Sequence, residues 1–576
     1  MPKDTYHTDT LRVSLGQYSS AGRKPQNQDF HGAVIPTGPA LTHKGITAAV
    51  ADGISTSPVS AEAAETAVKS LLTDYYATPE SWTVKTAASR VISAANAWLH
   101  RHGNGTDLNT GRVCTLSALI LKGRSGHILH VGDSRITRIS DAGVEPLTKD
   151  HRITVSVEES YLGRALGMEE RVEIDYHSFP LHLGEFYLLT TDGVHEHVDA
   201  RTLRELLQDT DLDEAARRIA DTALAAGSDD NLTVQVLRID AVPDPDTTIT
   251  PEVASLPIPP LPADGDMLDG YRILRPMQST ARSHVFLASG PTGERVVLKI
   301  PASDTGADPG YLRRFALEEW IARRITSPHV LRAAPPSSAT RSSLYVATEY
   351  VDGVTLRQWM ADHPDPDPDL NTVRDIIEQT VAGLRALHRR EMIHQDLRPE
   401  NVMIDHDGTV KIIDLGSTSV AGIEEAAPGT LPPQPGTYQY TAPEYFSGDV
   451  VSWRSDQFSL GVMAYEMLTG RLPYGPDVSR IRSRRDQMRL SYRPARDDDS
   501  PVPVWMDAAL KRATHPDPLQ RYDALSEFLA DLKQPGATWK AGRHVPLAER
   551  NPVRFWQGVS LILALICITL AVRLGG

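Results

Sequence analysis

Five aspartates sit where an apolar run gives way to a polar turn. They are Asp29 in NQD, Asp52 in VADG, Asp133 in VGDSR, Asp192 in TTDG and Asp230 in SDDN. One such aspartate reads as a turn or cap residue. Strand ends along one sheet edge, however, can bring carboxylates together that are far apart in the chain. Unpaired carboxylates at close quarters repel and hold one another's pKa up. A hard divalent cation relieves that repulsion, and an all-oxygen donor set suits magnesium or manganese. No cysteine or histidine set competes for zinc.

Short β-rich runs must position these aspartates: ITAAVAD, TLSALILK, HILHVGD, FYLLTTD and NLTVQVLRI. Helical periodicity intervenes at Ser60 to Thr73 and at Thr83 to His100. Strands with segregated helices predict an α+β sandwich for residues 10–240. Residues 241–267 hold seven prolines, from Pro243 to Pro262, and predict a semi-rigid linker that keeps the two flanking blocks independent. Residues 268–535 begin with strand-like pieces (HVFLAS, RVVLKI, LYVATEY) and turn helical from Leu356, so a small β-rich lobe precedes a larger α-rich one.

The chain of 576 residues has a formal net charge of −15, which argues against a general nucleic-acid coat. Its two cysteines, Cys114 and Cys567, exclude a disulfide scaffold. The first residues are polar, so no signal peptide is expected there. Phe555 to Val572 carries no formal charge, with Arg554 and Trp556 at one edge and Arg573 at the other. That stretch predicts a single C-terminal transmembrane helix over 555–572. The expected location is then the inner cell membrane, single-pass, with the catalytic domains cytoplasmic.

NQD, VADG, VGDSR, LTKDH, RALG, TTDG and SDDN, in this order, resemble the metal-dependent Ser/Thr protein phosphatases of the PPM type. The resemblance implies two central sheets flanked by helices and a binuclear Mg²⁺ or Mn²⁺ centre whose bridging water attacks phosphorus in line. Asp52 matches the ligand that bridges both metals, and the Gly53 carbonyl supports one of them. Asp192 and Asp230 complete the other, and Asp29 matches the first acidic position. Asp133 matches the ligand of a third ion in bacterial relatives, and Asn231 is expected to orient Asp230. Two positions depart from the family. Lys24 stands where its phosphate-binding arginine would be, so the charge is kept without the bidentate fork. Ile54 stands where some animal members carry a histidine general acid.

IHQDLRPENVMID, VKIIDLGS, GTYQYTAPE and SDQFSLGVMAYEMLTGRLPY resemble a eukaryotic-like Ser/Thr protein kinase. The resemblance implies a bilobal fold, ATP with Mg²⁺, and the usual parts of phosphoryl transfer. Lys299 matches the lysine that holds the ATP phosphates. Glu318 matches its helix partner, with Glu319 as the fallback. Asp396 matches the catalytic base, and Asn401 and Asp414 the metal ligands. Thr437 falls in the activation segment. Glu444, Asp456 and Arg521 match scaffold positions. The glycine-rich loop is absent: Gln278, Thr280 and Ser283 occupy its glycine positions and are expected to hydrogen-bond phosphate less closely. Gln395 replaces the arginine that docks a phosphorylated activation loop, and Arg398 replaces a lysine. The expected partners are ATP, protein and phosphoprotein substrates including the chain itself, and the membrane, but no nucleic acid. Three readings follow: a bifunctional enzyme, a phosphatase regulated by a degenerate kinase domain, and a non-enzymatic scaffold. The retained Lys299, Asp396, Asn401 and Asp414 favour the first.

Overall fold

The structure is a computed structural model. It describes residues 10–103, 110–154, 160–207, 211–243, 254, 256–337, 339–363, 369–426, 439–496, 502–535, 555–560 and 563.

Two five-stranded antiparallel sheets form the N-terminal domain. The first runs Arg12–Ser20, Leu232–Ala241, Phe186–Thr190, Arg135–Ser140, Gly143–Pro146. The second runs Asp175–Pro180, Ser125–Val131, Leu116–Lys122, Ile46–Asp52, Asp29–Val34. Their facing sides bury Ile46, Val50, Leu119, Ile128, Tyr187, Leu189 and Leu237 between the sheets. Helix α1 (Ser60–Ala77) and helix α2 (Val84–His102) cover the second sheet through an Ala-rich face, while helix α3 (Leu212–Ala225) covers the first. Every strand of Ile46–Asp52 and Leu116–Lys122 is therefore covered on both faces, which is why these segments read as continuous apolar runs. The α+β sandwich expected from the sequence is the observed architecture.

A five-stranded sheet from Met267–Leu268 to Val346–Glu349 forms the small lobe of the second domain, with helix α4 (Pro309–Arg324) packed on it. The large lobe is helical around α5 (Leu370–His388) and α6 (Trp453–Thr469), whose apolar faces share one core with Val402, Val410 and Ile412. A capping box at Ser452 and Ser455 starts α6, and Gly470 in the left-handed region ends it.

Two expectations are corrected. The later half of the proline-rich segment is not a free spacer: the Pro257 carbonyl accepts from Leu344 N–H at 2.9 Å, and Leu256 and Ile258 pack beside Phe315 and Val346. Thr247, Thr248 and Thr250 lie outside the described residues. The single transmembrane helix over 555–572 is withdrawn. Among the described residues no helix is long and apolar enough to cross a membrane. Helix is described over residues 555–560 and at Leu563, and six residues rise only about 9 Å against a core of about 30 Å. The absence of charge suggested the span, but apolar composition is not a spanning helix. The rest of that stretch, with Arg554 and Arg573, lies outside the described residues.

Candidate active sites

Asp29 and Asp52 stand directly opposite each other on paired antiparallel strands. Like charges in that relation destabilise a sheet unless something neutralises them. Burial pushes Asp29 up to about 7. The Thr233 and Thr191 hydroxyls, which donate to its Oδ2 at 2.7 and 2.9 Å, pull the other way, and the Asp192 charge raises it again. Its Oδ1 is buried without a hydrogen-bond partner. Asp52 is held well above the carboxylate range by burial and by Asp29, Asp192, Asp133 and Asp230. Asp192 is pushed up to about 6 by burial and by Asp133 and Asp230. The five aspartates thus gather at one end of the sandwich.

Two cations meet them there. Lys24 Nζ lies 3.2 Å from Asp230 Oδ2 and 3.3 Å from Ser55 Oγ, so the residue expected at phosphate stands beside the cluster. Arg152, which directly follows LTKDH and escaped the sequence reading, forks across Asp133 (2.7 Å), Asp192 (2.8 Å) and Glu196 (2.6 Å). Among the described residues no three His, Cys, Asp or Glu side chains are arranged to hold one ion. The donor chemistry nonetheless fits a hard cation: an orphaned carboxylate oxygen, mutually raised carboxylates, and glycine at 53, where a Cβ would come within 2.6 Å of the Ser60 carbonyl. Asn231 does not orient Asp230 with its side chain. Its amide instead ties down the loop before Asp29 through Ala21 O, Gln26 O and Gln28 N, while its backbone N–H donates to Asp230 Oδ1 at 2.8 Å.

In the second domain, Lys299 Nζ lies 2.8 Å from Glu318 Oε2 and 3.3 Å from Asp414 Oδ1. Burial works against its charge, but Asp414 and Glu318 outweigh burial and hold the ammonium protonated. Lys299 in turn holds Asp414 below the usual carboxylate range. The fallback Glu319 is excluded as the partner, since it pairs with Arg323 and Arg341. Asn401 Nδ2 donates to Asp396 at both its carbonyl (2.8 Å) and its Oδ2 (3.1 Å). Asp414 and Gln395 adopt left-handed backbone, φ 58° and 67°. Such strain in non-glycine residues persists where surrounding structure imposes it. At Gln395 the imposing group is Asp456, whose carboxylate accepts both the Gln395 and the His394 N–H. Glu444 and Arg521 form a fully buried bidentate pair at 2.7 and 2.8 Å.

The nucleotide-loop expectation needs one correction. Thr280 is spent inside the turn joining Tyr271–Ser279 to Ser283–Ser289: its hydroxyl accepts from Arg282 and Ser283 N–H and donates to the Ser283 carbonyl. A threonine turn replaces glycine freedom here. The tip is also tied to α4, where Tyr311 OH donates to the Arg282 carbonyl at 2.8 Å. Thr437 lies outside the described residues.

The protein phosphatase 2C family matches residues 17–233, and the protein kinase domain family matches residues 279–530. The chain carries a PP2C-type phosphatase domain and a protein kinase domain. Serine/threonine-protein kinase PrkC of Bacillus subtilis is 27% identical over 265 residues, 46% of this chain and 40% of that protein. Serine/threonine-protein kinase PknB of Mycobacterium leprae is 31% identical over 248 residues, 41% of this chain and 38% of that protein. The chain therefore spans about two fifths of the length of these curated relatives. Among solved structures, the Mycobacterium tuberculosis serine/threonine phosphatase PstP/Ppp is 23% identical and covers 40% of this chain and 100% of its own, with a TM-score of 0.34. The phosphatase assignment rests on the family match and not on that score.

Proposed function

We propose that the chain is a bifunctional enzyme with a metal-dependent phosphoserine/phosphothreonine phosphatase and an ATP-dependent Ser/Thr protein kinase. The observation that carries it is that both sets of side chains are assembled on one chain. The carboxylates surround an orphaned Asp29 oxygen, and Lys299 spans Glu318 and Asp414 beside the Asn401–Asp396 pair. On this reading Asp29, Asp52, Asp133, Asp192, Asp230 and the Gly53 carbonyl hold Mg²⁺ or Mn²⁺. Bound, the ions would supply an activated water and neutralise charge on phosphorus. Lys24 neutralises the substrate phosphate, and Arg152 offsets the mutual repulsion of Asp133 and Asp192. In the kinase domain Lys299 holds ATP phosphates, Asn401 and Asp414 hold Mg²⁺, and Asp396 accepts the proton of the substrate hydroxyl.

The spent Thr280 favours one alternative, a kinase domain that binds nucleotide without transferring phosphate. Two assays separate these readings: manganese-dependent hydrolysis of an aryl phosphate, and phosphosite mapping after labelled ATP with wild type against Asp414→Ala. Label on the wild type alone supports the bifunctional enzyme. Nucleotide binding with no label on either supports the alternative, and no aryl phosphate turnover refutes the phosphatase.

A further inference from the structure

The two domains meet on the kinase elements that govern phosphoryl transfer. Trp82 Nε1–H donates to the Arg389 carbonyl at 3.0 Å. Thr83 N–H and the Thr86 hydroxyl donate to the Glu391 carboxylate at 2.7 and 2.6 Å. Val84 N–H donates to Glu425 Oε2 at 2.7 Å. Two kinase carboxylates thus sit on the first turn of α2, where unsatisfied N–H groups and the helix dipole favour anions. Lys122, fully buried, donates to the Gly422 carbonyl at 2.6 Å and pairs with Glu425 at 3.5 Å. Gly422 N–H donates to the Ser81 carbonyl at 2.9 Å. A separate contact reaches the end of α4: Arg324 forks onto Glu80 at 3.0 and 2.6 Å, and the Trp320 ring lies 5.6 Å from His43.

The kinase partners lie on two elements, the activation segment with the strand paired to it and helix α4. Glu391 has a left-handed backbone, φ 55°, and its carbonyl accepts the Ala421 N–H at 3.1 Å. Beside it, Met392–Ile393 pairs with Ser419–Val420, the strand that follows Asp414 in the activation segment. Helix α4 carries Glu318, the partner of Lys299. In kinases that use a phosphorylated loop, an arginine beside the catalytic base anchors it, but here that position is Gln395. Among the described residues, the activation segment is instead held at residues 421–425 by the phosphatase domain.

We propose that the phosphatase domain has a second role as an in-chain clamp. It holds the activation segment and α4 in the arrangement that pairs Lys299 with Glu318 and takes over the part of a phosphorylated loop. The clamp lies away from the phosphatase chemistry. Strand Leu116–Lys122 starts next to Asp52, whose carbonyl accepts Thr115 N–H, and ends at Lys122 in the interface. Seven residues of strand separate the two ends by about 20 Å.

The activity part of this proposal rests on the kinase reading above; the ordering part does not. The test uses the full chain. A Cβ at Gly422 would meet the Trp82 carbonyl at 2.5 Å and the Ser81 carbonyl at 2.8 Å, so Gly422→Val must push the domains apart. Glu80→Arg sets like charges at the second contact, and Glu80→Arg with Arg324→Glu restores opposite ones. Hydrogen exchange over residues 309–324 and 414–426 reads the ordering, autophosphorylation reads the kinase, and aryl phosphate hydrolysis reads the phosphatase. The expected result is faster exchange in both kinase segments in Gly422→Val and Glu80→Arg. Autophosphorylation should fall by about tenfold or more, as when the competent state becomes a minor one. The charge swap should recover both, with aryl phosphate hydrolysis unchanged throughout. Faster exchange confined to residues 80–86, with both kinase segments as protected as in wild type, overturns the clamp. So does unchanged or increased autophosphorylation in an opened interface. A wild type without autophosphorylation defeats the kinase reading, and the exchange data then decide the clamp alone.

Discussion

Replacing Asp29 by asparagine should stabilise the metal-free protein while destroying the metal site. Asp29 carries a carboxylate whose folded pKa, about 7, lies some three units above the ordinary 3.8. For an acid with a raised folded pKa, the folded state binds the extra proton between those two values. Stability is therefore lost as pH rises from about 4 to 7 and stays lost above. At 1.36 kcal/mol per unit, the ionised carboxylate costs about 4 kcal/mol at pH 8. Asparagine avoids that cost and keeps an oxygen to accept from Thr191 and Thr233, which donate to Asp29 at 2.9 and 2.7 Å. At pH 5 most of the wild-type penalty has gone, so the advantage of the variant should shrink by about 3 kcal/mol. For a domain of roughly 220 residues this is about 6–12 °C in Tm. Buried histidines such as His127 and His130, pushed down to about 3 and about 4 mainly by burial, destabilise both chains as pH falls below about 6.5. They cancel in the difference, which is why the variant is compared with wild type at each pH. The assay is thermal unfolding of both chains in EDTA between pH 5 and 8, repeated with saturating Mn²⁺, where the wild type should gain and the variant should not. An Asp29→Asn chain no more stable than wild type at pH 8, with a difference flat in pH, would refute the reasoning.

Asp52→Ala and Asp192→Ala should each abolish aryl phosphate hydrolysis and remove manganese binding seen by calorimetry. On incubation with ATP, Asp192→Ala should accumulate phosphate that Asp396→Ala does not, with wild type between them by mass spectrometry. Arg521→Ala strands the fully buried Glu444 carboxylate, so the kinase domain should lose about 3–5 kcal/mol in denaturant unfolding.

The sandwich was legible because its buried strands are long apolar runs and its aspartates end them. Ile46–Asp52 was read to the residue, since VADG marks both the end of the apolar run and the start of the turn. Helix α2 was legible from its periodicity and from Thr83, whose hydroxyl accepts Thr86 N–H as a cap. Arg152 was missed because an arginine after a motif looks like any solvated arginine. Only the fold shows that its guanidinium reaches three carboxylates contributed by 133, 192 and 196. Thr280 was misread for a related reason: a hydroxyl in a phosphate loop and a hydroxyl that closes a turn have the same one-letter signal.

The contact between the domains had no sequence signal at all, and the proline-rich segment pointed the wrong way. Lys122 reads as a lysine at a strand end and Glu425 as an acid in a loop, yet a fully buried Lys122 pairs with a mostly covered Glu425 across some 300 positions of chain. A buried charge with its partner removed is costly, so such a pair constrains how two surfaces meet more than it adds to their affinity. The same constraint bears on Gln395. A kinase that relied on a phosphorylated loop for order would find that mark exposed to a phosphatase tethered on the same chain. Holding the activation segment by Lys122, the Ser81 carbonyl and the first turn of α2 removes this conflict, because none of these contacts is a phosphate. The phosphatase domain can then act on phosphoprotein at its carboxylate end while its opposite end keeps Glu318 on Lys299.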